Sequence, residues 1–232
     1  MKLAIMQPYI FPYIGYFQLI ASVDLFIVYD NIKYTKKGWI NRNRILQNGK
    51  DVMFSLPLKS DSDYLDVRAR ELAADFNRDK LLNQFRGAYR RAPYFAQTFP
   101  LVEQIVQYED ANLFGFLHHS IVKSCGHLGI ATEIRISSAV IIDHELKNKD
   151  KVLALCEASG ASVYVNAGGG SELYSKEEFQ EKGIDLKFIR SKPLEYAQFG
   201  NTFVPWLSII DLMMFNPLET IQTCISTNYE LI

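Results

Sequence analysis

Short apolar runs alternate with helical patterns along most of the chain. The runs KLAIM (2–6) and DLFIVYD (24–30) flank the segment IGYFQLIASV, whose apolar side chains recur with helical spacing. Two buried strands joined by about a dozen and a half residues need a crossover connection, so they pair in parallel. The beginning of the chain therefore predicts the strand–helix–strand unit of a doubly wound sheet.

The middle of the chain has a different pattern. Two strand-like segments, WINRNRILQ (39–47) and DVMFSLPL (51–58), are separated by Asn48-Gly49-Lys50, which is typical of a β-hairpin turn. Helical spacing then recurs in three segments: DKLLNQFRGAYRR, 99–108 and 111–128. We expect a helical block inserted at about 60–130.

The alternation of strands and helices then returns. Strands are expected at 132–140, 162–166 and 185–190, and helices at 148–158, at 175–182 and from about 206. We predict a single α/β domain over residues 1–232, with a doubly wound, mostly parallel sheet and an inserted helical block.

Composition excludes several classes of protein. Of the 232 residues, 48% are hydrophobic and 22% are charged, which is the usage of a globular protein and not of a disordered chain. The formal net charge of -1 gives no overall attraction to nucleic acid or to an anionic membrane, and no apolar run is long enough to span a bilayer. The cysteines Cys125, Cys156 and Cys224 form no CxxC pair, so we expect buried thiols and a cytoplasmic protein.

The run QPYIFPYIGYF (7–17) separates the first predicted strand from the first predicted helix. Its two prolines fix φ and keep the residues before them extended, so the chain cannot coil directly into the helix. Gly15 permits close backbone approach near the helix N-terminus, where free N–H groups attract phosphate or carboxylate. We predict a substrate-binding loop with the candidate contacts Gln7, Pro8, Tyr9, Tyr13, Gly15 and Tyr16. Burial of these aromatic rings in the core is an equally weighted alternative.

The segment from Tyr13 to Tyr16 resembles the HxGH element of nucleotidyltransferases. In that class the element lies between the first strand and the first helix, and its histidines bind nucleotide phosphates. The resemblance implies a nucleotidyltransferase-like start of the sheet. Tyrosine occupies both histidine positions here, and it brings no switchable positive charge near neutral pH, so the same phosphate chemistry is not implied.

Amide, guanidinium and indole groups are concentrated in KKGWINRNRI (36–45). The alternation of a strand puts one set on one face, Trp39, Asn41 and Asn43, and the other set on the opposite face, Arg42 and Arg44. The asparagines and the indole suit a sugar or an amide, and the arginines suit a diphosphate. We take all five as candidate substrate contacts. A solvated strand face with an aromatic cap is the alternative.

Three consecutive glycines follow a predicted strand in VNAGGGSELYSKEEF (165–179). The backbone N–H groups of such a turn can hold an anion, and polar side chains flank it. The candidate substrate contacts are Asn166, Gly168, Gly169 and Tyr174, and Glu172 is a candidate base. A flexible connection is an equally weighted alternative, because the spacing matches neither a P-loop nor a dinucleotide-binding turn.

Asp211 stands in an otherwise apolar helical segment, IIDLMMF. A buried carboxylate is costly unless it is paired. It is therefore either a structural brace for an arginine, which we favour, or a base that faces the site, and we keep it with Glu172 as a candidate catalytic residue. Tyr196 and Gln198, which lie before it, are candidate pocket-lining groups.

The histidines do not indicate a metal site. His118 and His119 are adjacent, His127 and His144 are isolated, and no metal-ligand spacing emerges. The sequence also lacks a GxSxG nucleophile elbow. We expect no metal, and the sequence identifies no cofactor.

Five segments resemble the WbqC-like protein family in the same order across essentially the whole chain: QPYIFPYIGYFQLI, GWINRNRI, RRAPYF, YVNAGGGSELY and PWLSIIDLMMFN. Members of the family occur among bacterial genes for O-antigen and other surface-polysaccharide synthesis, and a glycine or related aminoacyl transferase role has been suggested for them. The resemblance implies no assigned catalytic residue, so the candidates above come from the residues alone.

Together these features predict an aminoacyl (glycyl-type) or acyl transferase that forms an amide on a nucleotide-linked amino sugar in O-antigen or lipopolysaccharide synthesis. Its partners would be that sugar and an activated amino acid or acyl donor. We expect no membrane partner, and no nucleic acid unless the donor is an aminoacyl-tRNA. The alternatives are a non-catalytic binding module for a glycan precursor or a partner enzyme, and a nucleotidyltransferase.

Overall fold

The computed structural model describes residues 1–170, 174–200 and 202–232. Its strands are β1 (Lys2–Met6), β2 (Leu25–Val28), β3 (Arg42–Gln47), β4 (Lys50–Ser55), β5 (Glu133–Ile136), β6 (Val163–Ala167), β7 (Asp185–Ser191) and β8 (Tyr229–Leu231). Its α-helices are α1 (Ile14–Ala21), α2 (Arg78–Tyr89), α3 (Phe95–Val106), α4 (Leu113–Leu128), α5 (Asn148–Ala158), α6 (Lys176–Gln180), α7 (Ile209–Phe215) and α8 (Leu218–Thr227).

Six of the strands form one sheet in the order β5-β2-β1-β6-β7-β8. All neighbours pair in parallel except β7 and β8, which are antiparallel. The chain starts in the middle of the sheet, builds outward to β5, and then returns to build the other half. The direction of winding therefore switches between β1 and β6.

Helices cover both faces of this sheet. Side chains alternate along β1, so Leu3 and Ile5 enter one apolar core while Ala4 enters the other. The core of Leu3 also contains apolar side chains of α5 and α6, and the core of Ala4 contains those of α1, α7 and α8. These two cores and the strand order confirm the predicted doubly wound, mostly parallel α/β fold.

The β3–β4 hairpin and helices α2 to α4 lie between β2 and β5 in the chain. Asn48 and Gly49 make the hairpin turn with φ values of 52° and 73°, as the Asn-Gly pair predicts. Apolar side chains of the hairpin and of these helices join the core of Ala4. A single domain over residues 1–232 stays a prediction. None of the described helices is both long and apolar enough to cross a bilayer.

Several elements differ from the sequence pattern, among them α3, which spans Phe95–Val106 and not 99–108, and β4, which ends at Ser55 and not at residue 58. β3 begins at Arg42 and not at Trp39, because the segment before it is bonded to the first loop, where the Ile10 N–H donates to the Ile40 carbonyl (3.0 Å). The strand expected at 132–140 ends at Ile136, where the chain turns into a short 3-10 helix. The edge strand β8 has only three residues, too few for a periodic pattern.

Candidate functional site

A cleft of about 1010 Å³ opens at the carboxyl ends of β1, β2 and β6, beside the point where the strand order switches. We call it the switch-point cleft. Parallel α/β sheets bind their ligands at this position, because the connections leave a crevice between helices that go to opposite faces. Five of the predicted substrate contacts line it: Gln7, Tyr9, Asn166, Gly169 and Tyr174.

Positive charge dominates the wall of the switch-point cleft. Its charged residues are Lys33, Lys147, Lys149, Lys151, Asp66 and Asp150. Lys147 and Lys149 flank the first residue of α5, where free N–H groups add a partial positive charge. Lys149 also pairs with Glu178. The remaining excess of positive charge favours an anionic ligand.

Lys151 lies deepest among these lysines, with 5% of its surface exposed. Its ammonium group donates to the Asn31 carbonyl (3.3 Å) and the His144 carbonyl (3.2 Å), and it lies 5.5 Å from the centre of the Tyr29 ring. Burial lowers the pKa of Lys151. The two carbonyls compensate part of the cost of burying the charge, so Lys151 joins the end of β2 to the loop before α5.

A buried polar network connects the end of β2 to the segment between β5 and α5. The carboxylate of Asp30 accepts hydrogen bonds from the Ser137 hydroxyl (2.7 Å), the Ser138 hydroxyl (2.7 Å) and the Ser138 N–H (2.9 Å). The Asn31 amide approaches Nδ1 of His144 (3.0 Å), whose Nε2 faces the Val140 carbonyl (3.0 Å). Because a carbonyl only accepts, Nε2 carries the proton and Nδ1 accepts from Asn31.

The sequence interpretation missed this network and all four lysines of the switch-point cleft. A signal for part of it was present, because Asp30 and Asn31 directly follow the apolar run that became β2. Polar residues at the carboxyl end of a parallel strand belong to the edge where ligands bind. Three of the lysines, Lys147, Lys149 and Lys151, lie just before or within the start of α5, where they resemble an ordinary solvated helix start.

The predicted substrate-binding loop at 7–17 contributes to the walls of two clefts, the switch-point cleft and a second one, and we call it the partition loop. Gln7 and Tyr9 line the switch-point cleft, whereas Tyr13 and Ile14 line the second one. Pro8 is buried, and the Tyr16 hydroxyl is used internally, because it donates to the Gln7 carbonyl (3.0 Å). Burial raises the pKa of Tyr16 well above its ordinary value. The loop therefore combines both sequence interpretations, a buried aromatic centre and exposed cleft walls.

Phe11 holds the centre of this loop in a strained conformation. Its φ is 42°, in the left-handed region that bulky residues avoid. Its carbonyl accepts from the Asn43 amide (2.8 Å) and the Ser208 hydroxyl (2.8 Å), and its ring is fully buried against Phe54 and Phe85. Such strain persists only where the surroundings enforce it.

The second cleft, which we call the aromatic cleft, has a volume of about 450 Å³. It lies beside the end of β7 and the start of α1, and its walls include Tyr13, Tyr196, Phe203 and Trp206. Gly15 allows the close approach of these elements, since a Cβ there would lie 2.9 Å from the Ser191 Oγ. Two predicted substrate contacts, Tyr13 and Tyr196, therefore line this cleft and not the switch-point cleft.

Within residues 39–44, the predicted face is wrong for Trp39 but correct for the asparagines and the arginines. Trp39 precedes β3 and lies beside the arginines, with its ring centre 5.9 Å from the Arg42 guanidinium and 5.5 Å from that of Arg44. Asn41 and Asn43 point inward. Asn41 donates to the Leu56 carbonyl (2.7 Å), and Asn43 donates to the Ile10 and Phe11 carbonyls.

Hydrogen bonds also give the two arginines a structural role, as they do the two asparagines. Arg42 donates to the Gly38 carbonyl (2.8 Å), while Arg44 donates to Asp51 (3.0 Å) and to the Trp206 carbonyl (3.2 Å). All five lie outside the described walls of both clefts. Asn43 acts on the site indirectly, because it holds the strained backbone of the partition loop.

The glycine-rich segment lies at the end of β6, as predicted. Asn166 is buried, and its side-chain oxygen accepts from the Ala167 N–H (2.8 Å). Gly168 packs against β7, where a Cβ would lie 3.3 Å from the Ile189 carbonyl oxygen, and Gly169 lines the switch-point cleft. Glu172, the predicted base, lies outside the described residues.

Asp211 is fully buried beneath the aromatic cleft. Its carboxylate accepts from the hydroxyls of Tyr89 (2.8 Å) and Tyr196 (2.7 Å) and from the Gln198 amide (2.7 Å). Burial raises the pKa of Asp211, and these three donors offset part of that effect. The geometry is that of the brace favoured from the sequence, but two tyrosines and a glutamine replace the expected arginine.

The remaining candidate groups for metal or nucleophile chemistry lie apart from one another. Within the described residues, no three His, Cys, Asp or Glu side chains cluster as metal ligands would. Cys125 and Cys156 are buried, and burial raises the pKa of each thiol to about 12. A thiol with such a pKa is almost fully protonated near neutral pH.

Comparisons with known proteins give one family and no detailed function. The profile of the WbqC-like protein family matches residues 7–223. The chain is similar to Rv1507c of Mycobacterium tuberculosis strain ATCC 25618 / H37Rv, named an uncharacterized protein, with 30% identity over 219 residues that cover 91% of this chain and 92% of that protein. No solved structure matches significantly. Since the profile spans nearly all of the chain, this protein belongs to the WbqC-like protein family.

Proposed function

We propose that the switch-point cleft binds a nucleotide-linked amino sugar, and that the protein transfers an aminoacyl or acyl group to the amine of that sugar. The observation that carries the proposal is the group of four lysines around a cleft at the switch point of a parallel sheet. A diphosphate is the part of such a ligand that these lysines would bind. The partner in the reaction is an activated amino acid or acyl donor.

The wall of the cleft offers separate places for the parts of this ligand. Lys147, Lys149 and the start of α5 form its most positive side, which suits the diphosphate. Tyr29 and Tyr174 also line the cleft and offer aromatic surface for a base or a sugar ring. A ligand of this class is large enough to need a volume of about 1010 Å³.

The reaction needs a group that accepts a proton. The amine nitrogen attacks the acyl carbon, a C–N bond forms, and the bond from that carbon to the activating group breaks, so that its electron pair leaves with the activating group. The nitrogen loses one proton to a base. We assign this role to Asp66, one of the two carboxylates in the described cleft wall; the other, Asp150, lies in the first turn of α5 beside the lysines that would hold the diphosphate.

The test of transfer is product formation followed by mass spectrometry. Purified protein is mixed with a panel of nucleoside-diphosphate amino sugars and activated glycyl or acetyl donors. The proposal predicts a product with the added acyl mass, and Asp66→Asn is expected to lose turnover while it keeps affinity for the sugar nucleotide. Asp185→Asn, at an exposed carboxylate outside the described cleft walls, is the matched control and should retain turnover.

A non-catalytic binding module is the second candidate. The observation that favours it is the burial of Asp211, one of the two predicted bases, beneath a different cleft. This alternative predicts that sugar nucleotides bind but that no donor in the panel yields a product. Unchanged turnover in a folded Asp66→Asn variant would contradict the assigned base.

A further inference from the structure

The aromatic cleft is separate from the switch-point cleft, and the proposed function does not use it. Its walls present the rings of Tyr13, Tyr196, Phe203 and Trp206. The ring centres of Tyr13 and Trp206 are 5.2 Å apart, and those of Tyr196 and Phe203 are 5.1 Å apart. Trp206 is 61% exposed, so much of its indole ring is available to a ligand.

The charge of the aromatic cleft is opposite to that of the switch-point cleft. Of the described residues that line it, Glu195 alone carries a charge. This exposed carboxylate forms no ion pair with any residue in the described ranges. Arg44 donates to the Trp206 carbonyl from outside the cleft, and the charge of Arg44 is balanced by an ion pair with Asp51 (3.0 Å). A ligand in this cleft therefore meets aromatic faces and an unpaired negative charge.

The backbone holds the exposed indole in place under strain. Trp206 has a φ of 61°, and Phe199, in the same connection between β7 and α7, has a φ of 50°. Bulky side chains avoid this region, and residues kept there are concentrated at ligand-binding sites. Two bonds to Arg44 hold this backbone, because Arg44 donates to the Trp206 carbonyl and the Ser208 N–H donates to the Arg44 carbonyl (2.9 Å).

We propose that the aromatic cleft is a second ligand site and that it binds an organic ammonium group. The negative faces of the rings attract a cation, tryptophan most strongly, and the Glu195 carboxylate adds a charge that a neutral ligand would not use. A phosphate would be repelled by the same carboxylate. This inference stands independently of the proposed function, because it depends on none of the switch-point residues.

The two clefts are neighbours, because the loop at 7–17 lines both of them. Tyr9 lines the switch-point cleft and Tyr13 lines the aromatic cleft. Four residues of extended chain span at most about 14 Å, so the Cα atoms of these tyrosines lie within that distance. An ammonium-bearing ligand in one cleft and a phosphate-bearing ligand in the other would both contact the loop at 7–17.

The two tryptophans of the chain allow a direct test. Trp39→Phe leaves Trp206 as the one tryptophan, and its emission is recorded while choline is added across the millimolar range. The uncharged isostere 3,3-dimethylbutan-1-ol is the matched ligand control. The proposal predicts a saturable change with choline and none with the alcohol. The reverse variant, Trp206→Phe, retains Trp39 outside the cleft and should show no change with either ligand.

Two further variants identify the groups that bind the cation, both made in the Trp39→Phe background. Glu195→Gln should weaken choline binding about two- to fivefold, since the carboxylate is exposed. Tyr13→Ala should weaken it about five- to thirtyfold through loss of one aromatic face. Far-UV circular dichroism checks that each variant is folded. An equal response to the uncharged alcohol, no saturable response to choline, or unchanged affinity in both folded variants would overturn the proposal.

Discussion

Asp211→Asn is the substitution whose effect can be worked out most fully from the structure. The amide oxygen can replace only one carboxylate oxygen, and the position facing Tyr196 and Gln198 is favoured because two donors converge there. The new NH₂ group then faces the Tyr89 hydroxyl, which already accepts from the Leu46 N–H (2.9 Å). The hydroxyl proton of Tyr89 loses its acceptor inside the protein.

The size of this effect follows from the cost of a buried donor without a partner. One such donor costs about 1–3 kcal/mol, so Asp211→Asn should lower the free energy of unfolding by about that amount. Asp211→Ala leaves three donors without an acceptor and should cost more, about 3–5 kcal/mol. Urea unfolding followed by circular dichroism measures both. Asp185→Asn, which changes an exposed carboxylate, should stay within about 0.5 kcal/mol of wild type.

Two results would refute the reasoning about Asp211. An Asp211→Asn variant as stable as wild type would show that the three hydrogen bonds do not brace the structure. A variant with unchanged stability but no turnover would make Asp211 the proton acceptor, as one of the two sequence interpretations holds.

Three other outcomes are expected. Burial raises the folded-state pKa of Asp211 above its ordinary 3.8. The stability of wild type relative to Asp211→Asn should therefore be greatest below about pH 3.8 and should fall as pH rises through the folded-state pKa. Urea unfolding at several pH values would detect this change. Cys125 and Cys156, whose burial raises the pKa of each thiol to about 12, should resist a thiol reagent near pH 8 in the native protein and react after unfolding, and rapid native reaction would contradict this. Asp30→Ala leaves the N–H and the hydroxyl of Ser138 without their acceptor, while the Ser137 hydroxyl keeps the Asn31 side-chain oxygen, so it should cost about 2–4 kcal/mol in urea unfolding. It should also weaken anion binding, because the loop before α5 loses its support, and an effect on neither would be the contrary result.

Much of the fold was predictable because local patterns carry it. The bounds of β1 and α5 follow directly from an apolar run and a helical pattern. The doubly wound topology follows from strands that alternate with helices. The start of β3 was not predictable in the same way, since the bond from Ile10 to the Ile40 carbonyl depends on a distant loop. The face assignment of Trp39 was wrong for that reason, whereas Asn41 and Asn43 do lie on the face opposite to Arg42 and Arg44.

The candidate site was predictable only where one short segment defines it. The loop at 7–17 was identified from its prolines and from its place after the first strand, and it does separate two clefts. The partners of Asp211 were beyond local patterns, because Tyr89 lies 122 residues away in the chain. Lys33 meets Lys147, Lys149 and Lys151 only because α5 packs on the sheet beside the end of β2, and no spacing in the sequence shows that packing.

The most direct test of the central claim is calorimetric titration of the protein with a nucleoside-diphosphate amino sugar, such as the uridine diphosphate conjugate of glucosamine. Two lysine–phosphate contacts of about 1 kcal/mol each predict that Lys147→Ala with Lys149→Ala weakens binding about thirtyfold. Lys182→Ala, at an exposed ion pair outside the described cleft walls, should bind like wild type. Equal affinity in wild type and the folded double variant, or no binding of any sugar nucleotide to the folded wild type, would contradict the account.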